Sequence, residues 1–191
     1  MRKTWKLGEL FCGAGGFAEG AKQAGFKHVW AVDHHNESCI TFGKNQGFEA
    51  FNQEIGEFVK KDSLKKLEKI DGLLFGFPCN DFSLVGKNKK LKGYYGGLYK
   101  KACDALDYLK PNFFVAENVK GILNINQGRV MPLIMKDFKK LGYNVEYRLL
   151  NAANYGIPQQ RERVFIIGNN IGVDNPYPKQ THIDKAKINR S

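Results

Sequence analysis

The chain has 191 residues, a length that fits one domain or slightly more and allows a sizeable core. Its 42% hydrophobic and 26% charged residues are typical of a folded soluble protein and exclude a disordered one. No apolar run approaches the roughly 20 residues that span a bilayer, and the N-terminus lacks the pattern of a signal peptide. A net charge of +11 favours a polyanionic partner, nucleic acid above all, although a role in solubility is the alternative.

The cysteines and histidines form no recognisable metal-binding pattern. No two of the four cysteines make a CxxC pair, and the four histidines complete no zinc spacing. We therefore expect no bound metal. Four scattered cysteines without a signal sequence indicate free thiols in a reducing cytoplasm.

Short apolar runs alternate with amphipathic segments along the whole chain. Strands are predicted at 7–11, 28–33, near 48–51, 71–77, 113–118, 144–150 and 163–168. Helices are predicted after the first glycine turn as far as Gly25, and at 35–45, 98–110 and 130–141, while 56–69 is predicted to be a lysine-rich solvated helix. Seven strands alternating with helices predict a doubly wound α/β sheet, with the last two strands forming a hairpin.

Two stretches depart from this alternation. Residues 80–99 are rich in glycine, lysine and tyrosine, and a loop of that length inside a compact domain is usually functional or disordered. Residues 170–191 are polar without clear periodicity and are predicted to be an extended tail. The expected organisation is thus a domain over 1–169 followed by the tail.

A glycine-rich turn links the first predicted strand to the first helix. In Phe11-Cys12-Gly13-Ala14-Gly15-Gly16 the glycines allow a tight turn and close approach of a ligand to the helix N-terminus. Asp33 ends the second strand, where a carboxylate can accept hydrogen bonds from both hydroxyls of a ribose. The pair is compatible with NAD, FAD or S-adenosylmethionine. The alternative is a tight turn beside a surface aspartate.

A cysteine follows the fully apolar fourth strand in Gly76-Phe77-Pro78-Cys79-Asn80-Asp81-Phe82-Ser83. Ligands of open α/β sheets bind beyond the carboxyl ends of the strands, so Cys79, stiffened by Pro78, is placed as a nucleophile. A lone cysteine is more often a small core residue. That interpretation is given to the other three, Cys12, Cys39 and Cys103.

Two further blocks carry charged side chains at strand ends. Glu117 follows four apolar residues, so partial desolvation suits it to carry a proton near neutrality, unless it simply reaches solvent. Alternation along the last strand places Arg161 and Arg163 on one face, where they can hold a base carbonyl or a phosphate. A salt-bridged strand end is the alternative.

Together these blocks resemble the cytosine-5 DNA methyltransferase family. The matching stretches are FCGAGG, GFPCNDFS, AENVKG and YGIPQQRER, in the family's order, and the resemblance covers about residues 7 to 168. It implies a Rossmann-like methyltransferase fold with a seven-stranded, mostly parallel sheet, and S-adenosylmethionine in place of a nicotinamide. The implied activity is methylation of C5 of cytosine in double-stranded DNA, in a bacterial or phage-like cytoplasm at the nucleoid.

The resemblance also implies roles for individual residues. Cys79 would attack C6 of a flipped cytosine, Glu117 would hydrogen-bond or protonate N3, and Asn118 would help to hold the active-site loop. Arg163 would bind the cytosine carbonyl, and Arg161 would favour the thiolate of Cys79. The cofactor pocket would be lined by Phe11, Gly13, Gly15, Gly16, Asp33, His34, Glu54, Pro78 and Leu98. DNA contacts are assigned to Ser83, Lys87, Lys89, Lys90 and Lys92.

The family also carries a target-recognition region and a last conserved block that packs beside the first strand, and neither is found in this sequence. The expectation is a split methyltransferase whose second subunit supplies them, a truncated product, or a fragment. A tRNA cytosine-5 methyltransferase of the same family is one alternative function. An inactive remnant that binds cofactor or DNA is the other.

Overall fold

The computed structural model describes residues 4–78 and 97–182. This part of the chain contains a seven-stranded sheet of order β3-β2-β1-β4-β5-β7-β6. The first five strands run parallel, and β7 lies antiparallel between β5 and β6. The strands are β1 (Lys6–Leu10), β2 (Lys27–Asp33), β3 (Phe51–Asn52), β4 (Gly72–Gly76), β5 (Phe113–Val119), β6 (Asn144–Asn151) and β7 (Glu162–Asn169).

Helices connect the parallel strands, as a doubly wound sheet requires. They are α1 (Gly16–Gln23), α2 (Asn36–Gln46), α3 (Ile55–Phe58), α4 (Lys61–Leu64), α5 (Gly97–Leu109) and α6 (Val130–Lys140). Two 3₁₀ turns, Lys120–Leu123 and Ala152–Tyr155, follow β5 and β6. No helix within residues 4–78 and 97–182 is long and apolar enough to cross a membrane.

The main core lies on the side of the sheet that faces α5 and α6. Phe114 of β5 is fully buried there, with its ring centroid 4.6 Å from that of Phe138, 5.1 Å from Tyr143 and 5.7 Å from Phe75. Aromatic pairs at such distances dominate core energetics through their large buried area. These contacts pack α6 against β4 and the first half of β5.

Within residues 4–78 and 97–182, the opposite side of β5 and β7 is less covered than the core side. Burial alternates along both strands, with fully buried residues on the core side and partly exposed ones on the other. Phe113 on this side packs against Trp5 and Phe26, while Val115, Phe165 and Ile167 are also partly exposed, although β5 and β7 are both interior strands of the sheet. We call this the open face. β7 pairs antiparallel with both β5 and β6, an arrangement that often leaves one side of a sheet accessible to solvent or to a partner.

A buried polar pair joins β1 and β2 beneath the glycine turn. Glu9 Oε2 lies 3.0 Å from His28 Nε2, and both side chains are at most 4% exposed. Burial is the main cause that raises the pKa of Glu9, and His28 opposes this effect. Removing one partner of such a pair is expected to destabilise the fold, because the other stays buried alone.

The predicted doubly wound sheet and its terminal hairpin are confirmed. The segment 56–69 differs, since it forms two short helices separated by an extended Lys60 (φ −64°, ψ 140°). In one continuous helix Phe58 and Leu64 would point about 120° apart. The break allows both to be buried, at 2% exposure each.

Candidate functional site at the carboxyl ends of the strands

The glycine turn is held in place by hydrogen bonds to β2 and α2. Gly13 and Gly15 adopt φ values of +52° and +91°, which are accessible to glycine at little cost. The N–H of Cys12 donates to the carbonyl of Val32 at 3.1 Å, and Asn45 Nδ2 donates to the carbonyl of Ala14 at 2.9 Å. Gly16 then begins α1. The turn is thus ordered by contacts within the chain.

Asp33 ties the turn to the end of β2. Its Oδ2 accepts the N–H of Gly13 at 2.9 Å, and its Oδ1 accepts the N–H of His35 at 2.9 Å. A carboxylate oxygen can accept a second hydrogen bond, so these contacts leave acceptor capacity for a ligand. The sequence indicated an acceptor for ribose hydroxyls. The structure adds that the same side chain organises the glycine turn.

A cavity of about 210 Å³ opens beside this turn. Six of the residues assigned to a cofactor pocket line it: Phe11, Asp33, His34, Glu54, Pro78 and Leu98. Sequence reasoning missed three more lining residues, namely Val32, Gln53 and Ile55. Each is the immediate chain neighbour of a residue that was assigned, which is the signal that could have found them. Phe11 has a left-handed φ of +57°, an unusual conformation for a bulky residue.

Asn118 connects the ends of β4 and β5. Its Nδ2 donates to the carbonyl of Phe77 at 2.7 Å, and its Oδ1 accepts the N–H of Val119 at 2.9 Å. The side chain is only 3% exposed, so this is a buried, satisfied amide. It fixes the backbone one residue before Pro78, and its expected role of holding the loop that follows stays a prediction.

Glu117 and Arg163 form an ion pair across β5 and β7. Arg163 Nε lies 2.8 Å from Glu117 Oε1, and the side chains are 24% and 25% exposed. Arg163 Nη1 also donates to the carbonyl of Glu162 at 2.8 Å. The structure therefore brings two of the assigned catalytic side chains together, next to Gly76 at the end of β4.

The remaining assigned residues are distributed differently. Arg161 is exposed just before β7, and its N–H donates to Asn151 Oδ1 at 3.2 Å. The assigned nucleophile Cys79 lies outside the described residues. So do the assigned DNA contacts, which are Ser83, Lys87, Lys89, Lys90 and Lys92.

The three cysteines that the structure describes are free thiols with little access to solvent. Cys12 and Cys39 are buried, and Cys103 is half-buried. Burial raises the pKa of all three, to about 11 for Cys103. A thiol in this state is a weak nucleophile. Their interpretation as core residues agrees with this environment.

The fold and this site define a doubly wound α/β domain with a ligand cavity at the carboxyl ends of its strands and a charged pair beside it. The model of the C-5 cytosine-specific DNA methylase family matches residues 5–190, so the chain belongs to that family. S-adenosylmethionine is the cofactor of these enzymes.

Relatives and solved structures agree with this assignment. The chain is 40% identical to the Type II methyltransferase M.NgoFVII of Neisseria gonorrhoeae, over 93% of this chain and 47% of that protein. It is 36% identical to M.AquIA of Picosynechococcus, over 93% of this chain and 77% of that protein. The chain spans about half the length of M.NgoFVII and about three quarters of that of M.AquIA.

Two solved structures share the fold. A putative DNA modification methyltransferase encoded within an E. coli prophage has a TM-score of 0.70 at 26% identity, over 87% of this chain and 47% of that one. The Dnmt2 methyltransferase of S. pombe has a TM-score of 0.72 at 18% identity, over 90% and 52%. The second likeness concerns the fold alone.

Proposed function

We propose that the chain transfers a methyl group from S-adenosylmethionine to C5 of cytosine in double-stranded DNA. The observation that carries this proposal is the Glu117–Arg163 pair, which lies beside a β4 end fastened by Asn118. Pro78 lines the cavity, and Cys79 is bonded to it. Nucleophile, proton carrier and cofactor cavity would then meet at one edge of the sheet.

The cavity fits the cofactor by its chemistry. Phe11, Val32, Ile55 and Leu98 offer apolar surface to an adenine ring. Asp33 and Glu54 offer carboxylates to ribose hydroxyls and an exocyclic amino group. When bound, S-adenosylmethionine supplies an electrophilic methyl group on sulfur.

The residues of the chain would perform the remaining chemistry. The Cys79 thiolate forms a bond to C6 of the cytosine while Glu117 supplies a proton to N3, which makes C5 nucleophilic. Arg163 holds the cytosine carbonyl. After methyl transfer, loss of the C5 proton to water or a nearby base and return of the N3 proton to Glu117 break the C6–S bond and restore Cys79.

Asp33→Ala should weaken the binding of S-adenosylmethionine by about 1–3 kcal/mol, roughly 5- to 150-fold. The variant loses an acceptor for the ribose and leaves the N–H groups of Gly13 and His35 without their partner. Calorimetry on cofactor-free protein measures the change. The exposed Asp62 on α4 offers a matched control, since Asp62→Ala should leave the affinity unaltered. Equal affinities for wild type and Asp33→Ala would contradict the assignment.

We also propose that activity requires a further segment or subunit that covers the open face and carries target recognition. Val115, Phe165 and Ile167 form the apolar part of this face, and the Glu117–Arg163 pair lies at one end of it. Phe17 of α1 reaches its edge, with ring centroids 6.1 Å apart from Phe165. A helix packed against this face would complete the layer that covers this side of the sheet.

The chain alone is therefore expected to bind duplex DNA weakly, without sequence preference, and to methylate it little or not at all. Its charge of +11 supplies phosphate contacts, which carry no sequence information. Flipping a base costs a few kcal/mol, so adding the recognition segment should raise methylation about a hundredfold or more. Methyl transfer to duplex DNA and to tRNA, with and without that segment, is the assay.

Two controls sharpen this assay. Phe165→Glu should block complementation and preserve cofactor binding, whereas Tyr147→Glu, on the other side of the hairpin, should leave complementation intact. Efficient sequence-specific methylation by the 191-residue chain alone would contradict the requirement for a second segment. Preferential methylation of tRNA would replace the DNA proposal, and cofactor binding without turnover under any condition would favour an inactive remnant.

A further inference from the structure

After β7 the chain turns back and runs along the β6–β7 hairpin. We call residues 175–182 the brace. Its first anchor is Asn175, whose Oδ1 accepts from Asn169 Nδ2 at 2.9 Å and whose Nδ2 donates to the carbonyl of Asn144 at 3.2 Å. Both Asn169 and Asn175 are buried, at 3% and 8% exposure. Buried, satisfied amides hold a segment in one register, so the start of the brace is fixed.

Tyr177 is the second anchor. Its hydroxyl lies 2.8 Å from the carbonyl oxygen of Glu146 and 3.1 Å from that of Phe165, so it can donate to either strand of the hairpin. The Arg148 guanidinium covers its ring, 4.4 Å from the centroid. Burial raises the pKa of Tyr177 to about 12, so the hydroxyl keeps its proton and remains a donor at neutral pH.

The far end of the brace contacts the loop that precedes Arg163. We call residues 152–161 the arginine loop. The carbonyl of Asn154 accepts the N–H groups of Thr181 at 3.0 Å and His182 at 2.9 Å. Tyr155 donates from its hydroxyl to the carbonyl of Pro178 at 3.3 Å. Three backbone or hydroxyl contacts thus join the brace to the first half of the loop.

The His182 ring closes over Gly156. A Cβ at Gly156 would lie 2.9 Å from His182 Cε1, and Gly156 itself has a φ of +86°. Glycine is therefore required at position 156 for two reasons. It adopts the left-handed backbone conformation at little cost, and it leaves room for the ring of His182. The same Cβ would lie 3.3 Å from Nδ1 and 3.5 Å from Nε2, so one edge of the ring faces the glycine, and the 3.0 Å contact between His182 Nδ1 and Thr181 Oγ1 helps to orient the ring.

The second half of the arginine loop is held separately. Asn151 Oδ1 accepts the N–H groups of Ala153 and Arg161, each at 3.2 Å, and Asn151 Nδ2 donates to Gln160 Oε1 at 2.7 Å. Gly156 lies between this closure and the brace. The position of the loop, and hence of Arg161 and the start of β7, depends on both supports.

We propose that the brace positions the arginine loop, with Tyr177 and His182 as its positioning residues. The proposal rests on the proposed function, in which Arg163 holds the cytosine carbonyl. Exposed loops are mobile unless tied down, and a misplacement of about 1 Å at a reacting group can reduce the rate about a hundredfold. The brace holds the loop at residues 154–156, which Asn151 does not contact through its side chain.

Hydrogen–deuterium exchange in the full chain tests the brace without any assay of activity. His182→Ala should speed exchange of the amides of residues 152–161 about tenfold and leave β1, β4 and β5 unchanged. His182→Phe keeps a ring over Gly156 and should retain the protection. Lys179→Ala, an exposed change within the brace, is the matched control and should have no effect. Unchanged exchange in His182→Ala, or loss of protection throughout the sheet, would overturn the proposal.

A double-mutant cycle tests the ring contact itself. Gly156→Ala should lower the melting temperature in wild type through both backbone strain and collision with His182. In a His182→Ala background only the strain remains, so the drop should be smaller. Equal drops in the two backgrounds would show that the ring does not contact Gly156, and would overturn the role of His182.

Activity in the complemented enzyme distinguishes positioning from general stability. Tyr177→Phe and His182→Ala should reduce methyl transfer about tenfold or more with the dissociation constant of S-adenosylmethionine unchanged. Tyr147→Phe, which removes an exposed hydroxyl from β6, is the control and should behave as wild type. A parallel loss of cofactor affinity would overturn the positioning role. If wild type shows no methyl transfer, the proposed function fails, while the exchange experiment still decides the brace.

Discussion

Cys79→Ser is expected to reduce methyl transfer by roughly 10⁴-fold or more, the scale of loss that follows removal of a covalent nucleophile. A hydroxyl at this position is far less acidic than a thiol and would attack C6 poorly. The fold should persist, because β4 ends before this residue, and Asn118 holds Phe77 independently of it. Methyl transfer in the complemented enzyme, with circular dichroism and cofactor calorimetry alongside, measures these effects.

Cys103→Ser is the matched control for this prediction. Cys103 is half-buried on α5, and its pKa is raised to about 11, so its replacement should leave turnover nearly unchanged. DNA that contains 5-fluorocytosine should become covalently linked to Cys79 and to no other cysteine, because the fluorine prevents loss of the C5 substituent. Retained turnover in Cys79→Ser, or a crosslink at Cys12, Cys39 or Cys103, would contradict the assignment.

Glu117→Gln is expected to lower the rate of methyl transfer about 10²- to 10⁴-fold, the usual contribution of a positioned proton carrier. The amide keeps the size of the side chain and can still accept from Arg163, but it cannot deliver a proton to N3. Cofactor affinity should change little, because Glu117 does not line the cavity beside the glycine turn. Single-turnover kinetics in the complemented enzyme separates the chemical step from binding.

Glu162 offers the control for this change. It belongs to a neighbouring ion pair, 2.8 Å from Lys120 Nζ, and it is more exposed than Glu117. Surface pairs of this kind contribute little, so Glu162→Gln should keep its activity. Equal losses of methyl transfer in Glu117→Gln and Glu162→Gln would mean that the local negative charge is important and that a proton on Glu117 is not.

The sequence predicted the sheet well because its strands have distinct apolar patterns. The runs at 72–76 and 113–116 are continuously apolar, so each could be recognised as a buried strand without knowledge of the fold. The break at Lys60 could not be predicted in this way. The break allows Phe58 and Leu64 both to be buried in the core, and this burial depends on tertiary packing that the local sequence does not show.

The sequence predicted which residues belong to the candidate site, but it did not predict the contacts that join them. Its members stand at strand ends beside glycine or proline, which local sequence reveals. The link from Asn118 to Phe77 spans 41 residues, and that from Tyr155 to Pro178 spans 23, so neither has a local signature. The tail was expected to be an extended segment, and its course along the hairpin up to His182 became apparent only from these distant contacts.

The open face also bears on how the protein must be produced. On the proposal of a covering segment, the chain produced without it leaves Val115, Phe165 and Ile167 partly exposed and is expected to self-associate. Co-expression with the covering segment should therefore raise the yield of monodisperse protein. On the same proposal, the net charge of +11 is expected to limit this self-association by repulsion, in addition to its proposed role in attraction to DNA.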